Sequence, residues 1–173
     1  NFRDLISDKP ARFPSKVRIY ADDKAMHIDI KYMGAAPYVK KAEDGSRDVW
    51  NNDLAEIFLE NKPNNQIFNQ FVVAASGARW MSVANNKADF NSWSAETKVL
   101  EDGWEASLTL PYACLGMSGK PVDGSYMKFN ICREHRVKGT FTKLDPTKGN
   151  RLASHSIVDN SSLVFCNGEY GNQ

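Results

Sequence analysis

"KVRIYADDKAMHIDIKYMG", residues 16 to 34, decides the fold class. Met26, Ile28, Ile30 and Tyr32 alternate with His27, Asp29, Lys31 and Met33. This period of two sends apolar side chains to one face of a pleated strand and polar ones to the other. A second β-like run ends at Ala21, and Asp22, Asp23 and Lys24 supply turn chemistry between the two. A hairpin with one face on a core is the simplest account.

The same pattern recurs outward from this hairpin. In "LAEIFLE", residues 54 to 60, Ala55, Ile57 and Leu59 share one face while Glu56, Phe58 and Glu60 share the other. "QIFNQFVVAAS", residues 66 to 76, follows a turn of Lys62, Pro63, Asn64 and Asn65, which predicts an antiparallel pair. "AETKVLEDGWEASLTLP", residues 95 to 111, carries Asp102-Gly103 between two β-like runs, a strong hairpin signal. Trp104, Ala106, Leu108 and Leu110 form its apolar face, and Pro111 ends it, leaving "YACLGM" room for one helical turn before Gly116. "SYMKFNICREHR" and "SSLVFCNG" complete a set of roughly eight strands with no long amphipathic helix. The expected class is all-β: a two-sheet antiparallel β-sandwich, immunoglobulin-like or jelly-roll-like, with only short helical turns. The least patterned stretches are 34 to 49 and 134 to 161, and loops of such length are often functional.

A chain of 173 residues suits one domain spanning 1 to 173. Net charge is +1 with acids and bases interspersed, so neither nucleic acid nor an anionic membrane is an expected partner. No apolar run approaches the roughly 20 residues of a membrane span. Cys114, Cys132 and Cys166 lie far apart without a CxxC pair. They read as buried thiols, with a Cys132 to Cys166 bridge as the alternative if their strands are neighbours.

"DVWNNDLAEIFLENKP", residues 48 to 63, concentrates the candidate chemistry. Glu56 and Glu60 are four residues apart on one strand, about 13 Å, beyond the roughly 5 to 9.5 Å of glycosidase carboxylates, so they form no catalytic dyad. Glu60 then reads as a solvated strand residue, and Asp53 has no evident carboxylate partner. There is no G-x-S-x-G, no H-E-x-x-H among His27, His135 and His155, and no phosphate loop. Trp50, in contrast, stands in a polar loop with Asn51, Asn52, Asp53 and Glu56, an aromatic plate beside groups that take hydroxyls. Trp104 reads as core, whereas Trp80 and Trp93 are open. Asp22, Asp23, Asp44 and Asp48 offer hard oxygen ligands for calcium at turns, the alternative being solvated turn acids.

The order "VRIYADDKAMHIDIKYMG", "DVWNNDLAEIFLE", "QFVV", "DGWEASLTLPYACLG", "KFNICRE" resembles the family 9 carbohydrate-binding modules and the wider DOMON-like sandwiches, over about residues 16 to 166. That resemblance implies a non-catalytic sandwich binding poly- or oligosaccharide, covalently linked to other modules of a secreted, extracellular or periplasmic carbohydrate-active enzyme. No cofactor is required, and structural calcium is an option. In sugar-binding members two tryptophans sandwich a terminal sugar while carboxylates, amides and arginines hold its hydroxyls. By position Trp50 is similar to the first tryptophan and Glu56 to the hydroxyl-binding acid. Arg133 and Asn130 lie on the strand of further polar contacts, with alternation allowing one of them to face the ligand. The rim expected on this basis is Trp50, Asp53, Glu56 and Arg133, with Trp80 or His155 opposite Trp50. Val72 stands where an arginine is expected and Cys132 where a polar residue is expected, and "NRLASHSIVDNSSL" contains no second tryptophan. The alternatives are a structural or protein-contact sandwich, and a haem-binding electron-transfer domain of DOMON type. For haem, His27 and Met33 are about 20 Å apart along one strand and cannot bracket an iron together, so His155 or Met81 would have to join one of them.

Overall fold

The structure, a computed structural model, describes residues 11–60, 67–84 and 86–136, and the backbone alone of 162–166 and 169–172. Eleven strands are present among the described residues: β1 (Ser15–Ala21), β2 (Ala25–Met33), β3 (Leu54–Glu60), β4 (Phe68–Ala74), β5 (Arg79–Val83), β6 (Asn86–Lys87), β7 (Ser94–Leu100), β8 (Gly103–Pro111), β9 (Tyr126–Glu134), β10 (Ser162–Cys166) and β11 (Glu169–Asn172). Their hydrogen-bonded order is β6-β5-β4-β3-β9-β10-β11-β1-β2-β8-β7, and every pairing is antiparallel. Strand β9 belongs to both layers. Its first residues, Tyr126 to Lys128, pair with β10, whereas Phe129 to Glu134 pair with β3. The chain thus forms two antiparallel sheets joined through one strand, with only short 3-10 turns at Arg47–Asn51, Phe90–Ser92 and Tyr112–Leu115.

The core follows the alternation. Met26, Ile28, Ile30 and Tyr32 of β2 and Trp104, Ala106, Leu108 and Leu110 of β8 face Ala55, Ile57 and Leu59 of β3 and Phe71 and Val73 of β4. Full burial of such side chains stabilises the fold by roughly 1.5 to 3 kcal/mol each, before the entropy of ordering them. Tyr32 and Trp104 meet edge to face at 5.2 Å, and the Tyr32 hydroxyl donates to the Cys132 carbonyl at 3.0 Å, tying β2 to β9 across the core. The hydroxyl keeps that carbonyl partnered inside an apolar layer.

The β7–β8 hairpin is tighter than its turn residues alone require. Leu100 pairs with Gly103, so Glu101 and Asp102 make the turn and Gly103 opens the strand opposite Met33. A Cβ on Gly103 would sit 2.0 Å from the Tyr32 carbonyl oxygen, so only glycine lets β8 lie this close to β2. At the far end of β8, Pro111 leads into the Tyr112–Leu115 turn, which Gly116 closes at φ +70°.

Three strands escape the sequence pattern. In β5, Arg79 occupies an inward position beside Met81, which hides the alternation; β6 has two residues, and β11 carries Gly171. Glu60 is buried rather than solvated. Cys114 and Cys132 are thiols outside any disulfide. Although β9 and β10 are neighbours, their register pairs Ser162 with Lys128 and runs Cys166 away from Cys132, so the bridge does not form. Burial pushes the Cys114 thiol up to about 12, leaving it a poor nucleophile. The described residues include no helix long and apolar enough to cross a membrane.

Gly103→Ala should destabilise the fold by about 3 kcal/mol, because the obstacle is backbone rather than a movable side chain. Urea denaturation monitored by tryptophan fluorescence measures this, and a loss near zero would contradict the close approach.

Candidate functional site

Strand β3 is buried on both sides. Its inner residues enter the core, whereas Leu54, Glu56, Phe58 and Glu60 face outward from the sandwich and are also buried. The register sets what lies beside them. Glu56 is flanked by Cys132 on β9 and Val72 on β4, with Trp80 of β5 beyond Val72; Phe58 is flanked by Asn130 and Gln70, with Ser82 beyond.

The loop before β3 folds across one end of this face. Ser46 caps its 3-10 turn by accepting from the Asp48 amide at 3.1 Å, and Trp50 sits inside that turn. The Trp50 indole Nε1–H donates to Glu56 Oε1 at 2.6 Å. Burial of Glu56, only 3% exposed, makes this bond consequential, since a carboxylate removed from water needs donors. Trp80 meets Trp50 edge to face, with centroids 4.9 Å apart and planes at 71°. The pair shares an apolar cluster with Val49, Leu54, Val72, Ala74 and Ala78.

Asp53 has a different task from Glu56. It is completely buried; one carboxylate oxygen lies 2.7 Å from His135 Nδ1 and the other accepts the Arg136 amide. Its backbone is held too, the amide donating to the Tyr38 carbonyl at 2.9 Å and the carbonyl accepting from the Ala75 amide at 2.8 Å. Neighbouring Asn52, equally buried, accepts from the Lys40 amide at 2.6 Å and donates to the Val49 carbonyl at 3.3 Å. These bonds fasten the loop's C-terminal end, so Asp53 positions the turn that carries Trp50 instead of facing outward with it.

Arg133 is separated from the rim. It pairs with Ala55, which points inward, while its neighbour Cys132 pairs with Glu56. The Arg133 guanidinium accordingly lies against the Tyr32 ring at 4.8 Å and the Phe13 ring at 5.4 Å, and donates to the carbonyls of Met33 at 3.2 Å and Pro14 at 3.3 Å. Desolvation lowers its pKa. The expectation that Arg133 joins Trp50 is corrected by this one-residue difference in register. His155 lies outside the described residues.

The acids considered for calcium are dispersed and individually engaged. Asp22 Oδ1 accepts the amides of Lys24 at 2.7 Å and Ala25 at 2.9 Å, while Oδ2 lies 2.9 Å from His27 Nε2. Asp23 pairs with Lys120 at 3.0 Å, Asp44 with Arg79, and Asp48 accepts from Asn51 at 3.1 Å. Among the described residues no group of three or more His, Cys, Asp or Glu is placed to hold a metal ion. Of the haem candidates among the described residues, His27 stacks on Tyr20 at 4.8 Å with Nδ1 3.4 Å from Thr109 Oγ1, while Met81 is packed in the core.

No family profile and no curated protein matches the chain. Solved structures do. A candidate carbohydrate-binding protein from Bacteroides uniformis ATCC 8492 superposes with a TM-score of 0.63 at 17% identity, covering 78% of this chain and 69% of that one. A family 9 carbohydrate-binding module from Caldicellulosiruptor kristjanssonii in complex with glucose gives a TM-score of 0.55 at 19% identity, over 72% of this chain and 61% of that one. The same module with cellotriose gives 0.53 at 18% identity, over 72% and 60%. This chain therefore spans about three fifths of the family 9 structure's length. At these identities the likeness is one of fold: the two-sheet arrangement is of the kind carbohydrate-binding modules build.

Two stability predictions follow from the fastened acids. Asp53→Ala strands the His135 ring and the Arg136 amide and should destabilise the protein by about 3 kcal/mol in urea denaturation. Asp22 is held from the ordinary 3.8 down to about 2, first by the Lys24 amide and then by His27 and the Ala25 amide. A depressed carboxylate contributes stability above its unfolded pKa and loses it as pH falls through the folded one. Wild-type Tm should therefore drop between pH 4 and pH 2 more than that of Asp22→Asn. Parallel curves would remove Asp22 from the acid response.

Proposed function

We propose that the chain is a non-catalytic carbohydrate-binding module in which a sugar ring stacks on Trp50. The observation that carries this reading is the Nε1–H bond to Glu56, which fixes the plane of a half-buried indole. The fold shared with proteins solved with glucose and cellotriose supports the ligand class. Glu56 orients the ring and supplies the nearest carboxylate; Asp53 acts one step back by fixing the loop. Trp80 is not a second plate, because rings at 71° with centroids 4.9 Å apart leave no room for a sugar between them. The reading extends to a module joined to other domains of an exported protein. Burial of Glu56 favours one competitor, a sandwich whose outer face serves structure or protein contact alone.

Calorimetric titration of glucose, cellotriose and a panel of plant and microbial polysaccharides separates the two. Binding that Trp50→Ala weakens by at least about thirtyfold, roughly 2 kcal/mol, supports the sugar platform. No binding across the panel by correctly folded protein supports the structural reading.

A further inference from the structure

We propose that Arg79 is a positioning residue for the Trp50 platform, acting through Asp44; the inference rests on reading Trp50 as the sugar-stacking residue. The loop from 35 to 53 has two feet. The C-terminal foot is the buried Asn52–Asp53 pair. The N-terminal foot is Asp44 and Gly45, seated on the first residue of β5. The Arg79 amide donates to Asp44 Oδ1 at 2.7 Å and its Nη2 to Asp44 Oδ2 at 2.6 Å, while the Gly45 amide donates to the Arg79 carbonyl at 2.7 Å. Nη1 is directed at the Trp93 carbonyl, and the guanidinium lies 5.6 Å from the Trp93 ring centroid, which itself belongs to the core. One side chain therefore links the loop to the packed interior.

Steric fit confines the same foot. Gly45 has φ +72°, and a Cβ there would lie 2.4 Å from Phe90, which packs against the core. Only glycine lets the loop descend to Arg79 at this point. From Gly45 the chain passes directly into the Arg47–Asn51 turn bearing Trp50, while the residue after Arg79 is Trp80, whose ring meets Trp50. Moving the foot on Arg79 shifts one indole against the other. Asp44 and Arg79 are partly exposed, with side chains 34% and 18% accessible, so the ion pair itself stabilises the fold little. Its effect is on geometry: a loop held in its binding conformation loses less entropy when a ligand docks.

The test uses Arg79→Met, Asp44→Ala and the conservative Arg79→Lys, with cellotriose as the probe. Two readouts are taken: the far-ultraviolet exciton couplet of the Trp50–Trp80 pair, defined as wild type minus Trp50→Phe, and the dissociation constant for cellotriose. Arg79→Met and Asp44→Ala should lose most of the couplet and bind about tenfold more weakly, with Tm within about 4 °C of wild type, and Arg79→Lys should fall between. An unchanged couplet, or a lost couplet with unchanged affinity, overturns the assignment. Wild type that binds no sugar counts against the sugar reading instead, and the couplet then decides the Arg79 assignment alone.

Discussion

Strand β3 is buried on both of its faces, and the rest of the molecule is arranged around that constraint. A pleat can send Ala55, Ile57 and Leu59 into the sandwich core only by sending Glu56 and Glu60 to the other side. If that other side were open, the glutamates would be solvated and unremarkable. It is closed, so Glu56 must find donors within the fold, and the Trp50 indole provides one. The same hydrogen bond that neutralises a packing problem fixes the orientation of a large aromatic ring at the surface. Site and fold are thus two consequences of one alternation.

The loop that brings Trp50 to Glu56 is held at both ends by unlike means. Asp53 and Asn52 fasten one end in the interior, where an unmatched polar group would be costly. Arg79 and Asp44 fasten the other near the surface, where the pair is screened and contributes geometry more than stability. Between them the Arg47–Asn51 turn has little freedom left. On the proposed reading, a ring fixed by a carboxylate below, by a second indole packed edge to face with it and by two anchored loop ends is preorganised for a flat apolar ligand face.

Elements with clean alternation were legible in the sequence: both hairpins, the β3–β4 pair, the turn after Pro111 and the core position of Trp104. So was the opposition of Glu56 to the core, because a period of two needs no tertiary information. Strands β5, β6 and β11 were not legible, since Arg79 interrupts one alternation and the others are too short to show any. The site was half readable. Trp50 and Glu56 are six residues apart and their proximity follows from local geometry. The partner of Asp53, His135, is 82 residues away, and nothing in spacing announces it. Arg133 was misplaced for a related reason: its face depends on which residue of β9 opposes Ala55, and a shift of one residue reverses the answer.

On the proposed reading, the indole fixed by Glu56 is the one a sugar touches. Nuclear magnetic resonance observes the indole N–H of each of the four tryptophans separately, with Trp50 assigned by its disappearance in Trp50→Phe. During titration with cellotriose the Trp50 signal should shift most, Trp80 less, and the core residues Trp93 and Trp104 should stay in place. A bound sugar that moves other indoles while leaving Trp50 unmoved would contradict the account.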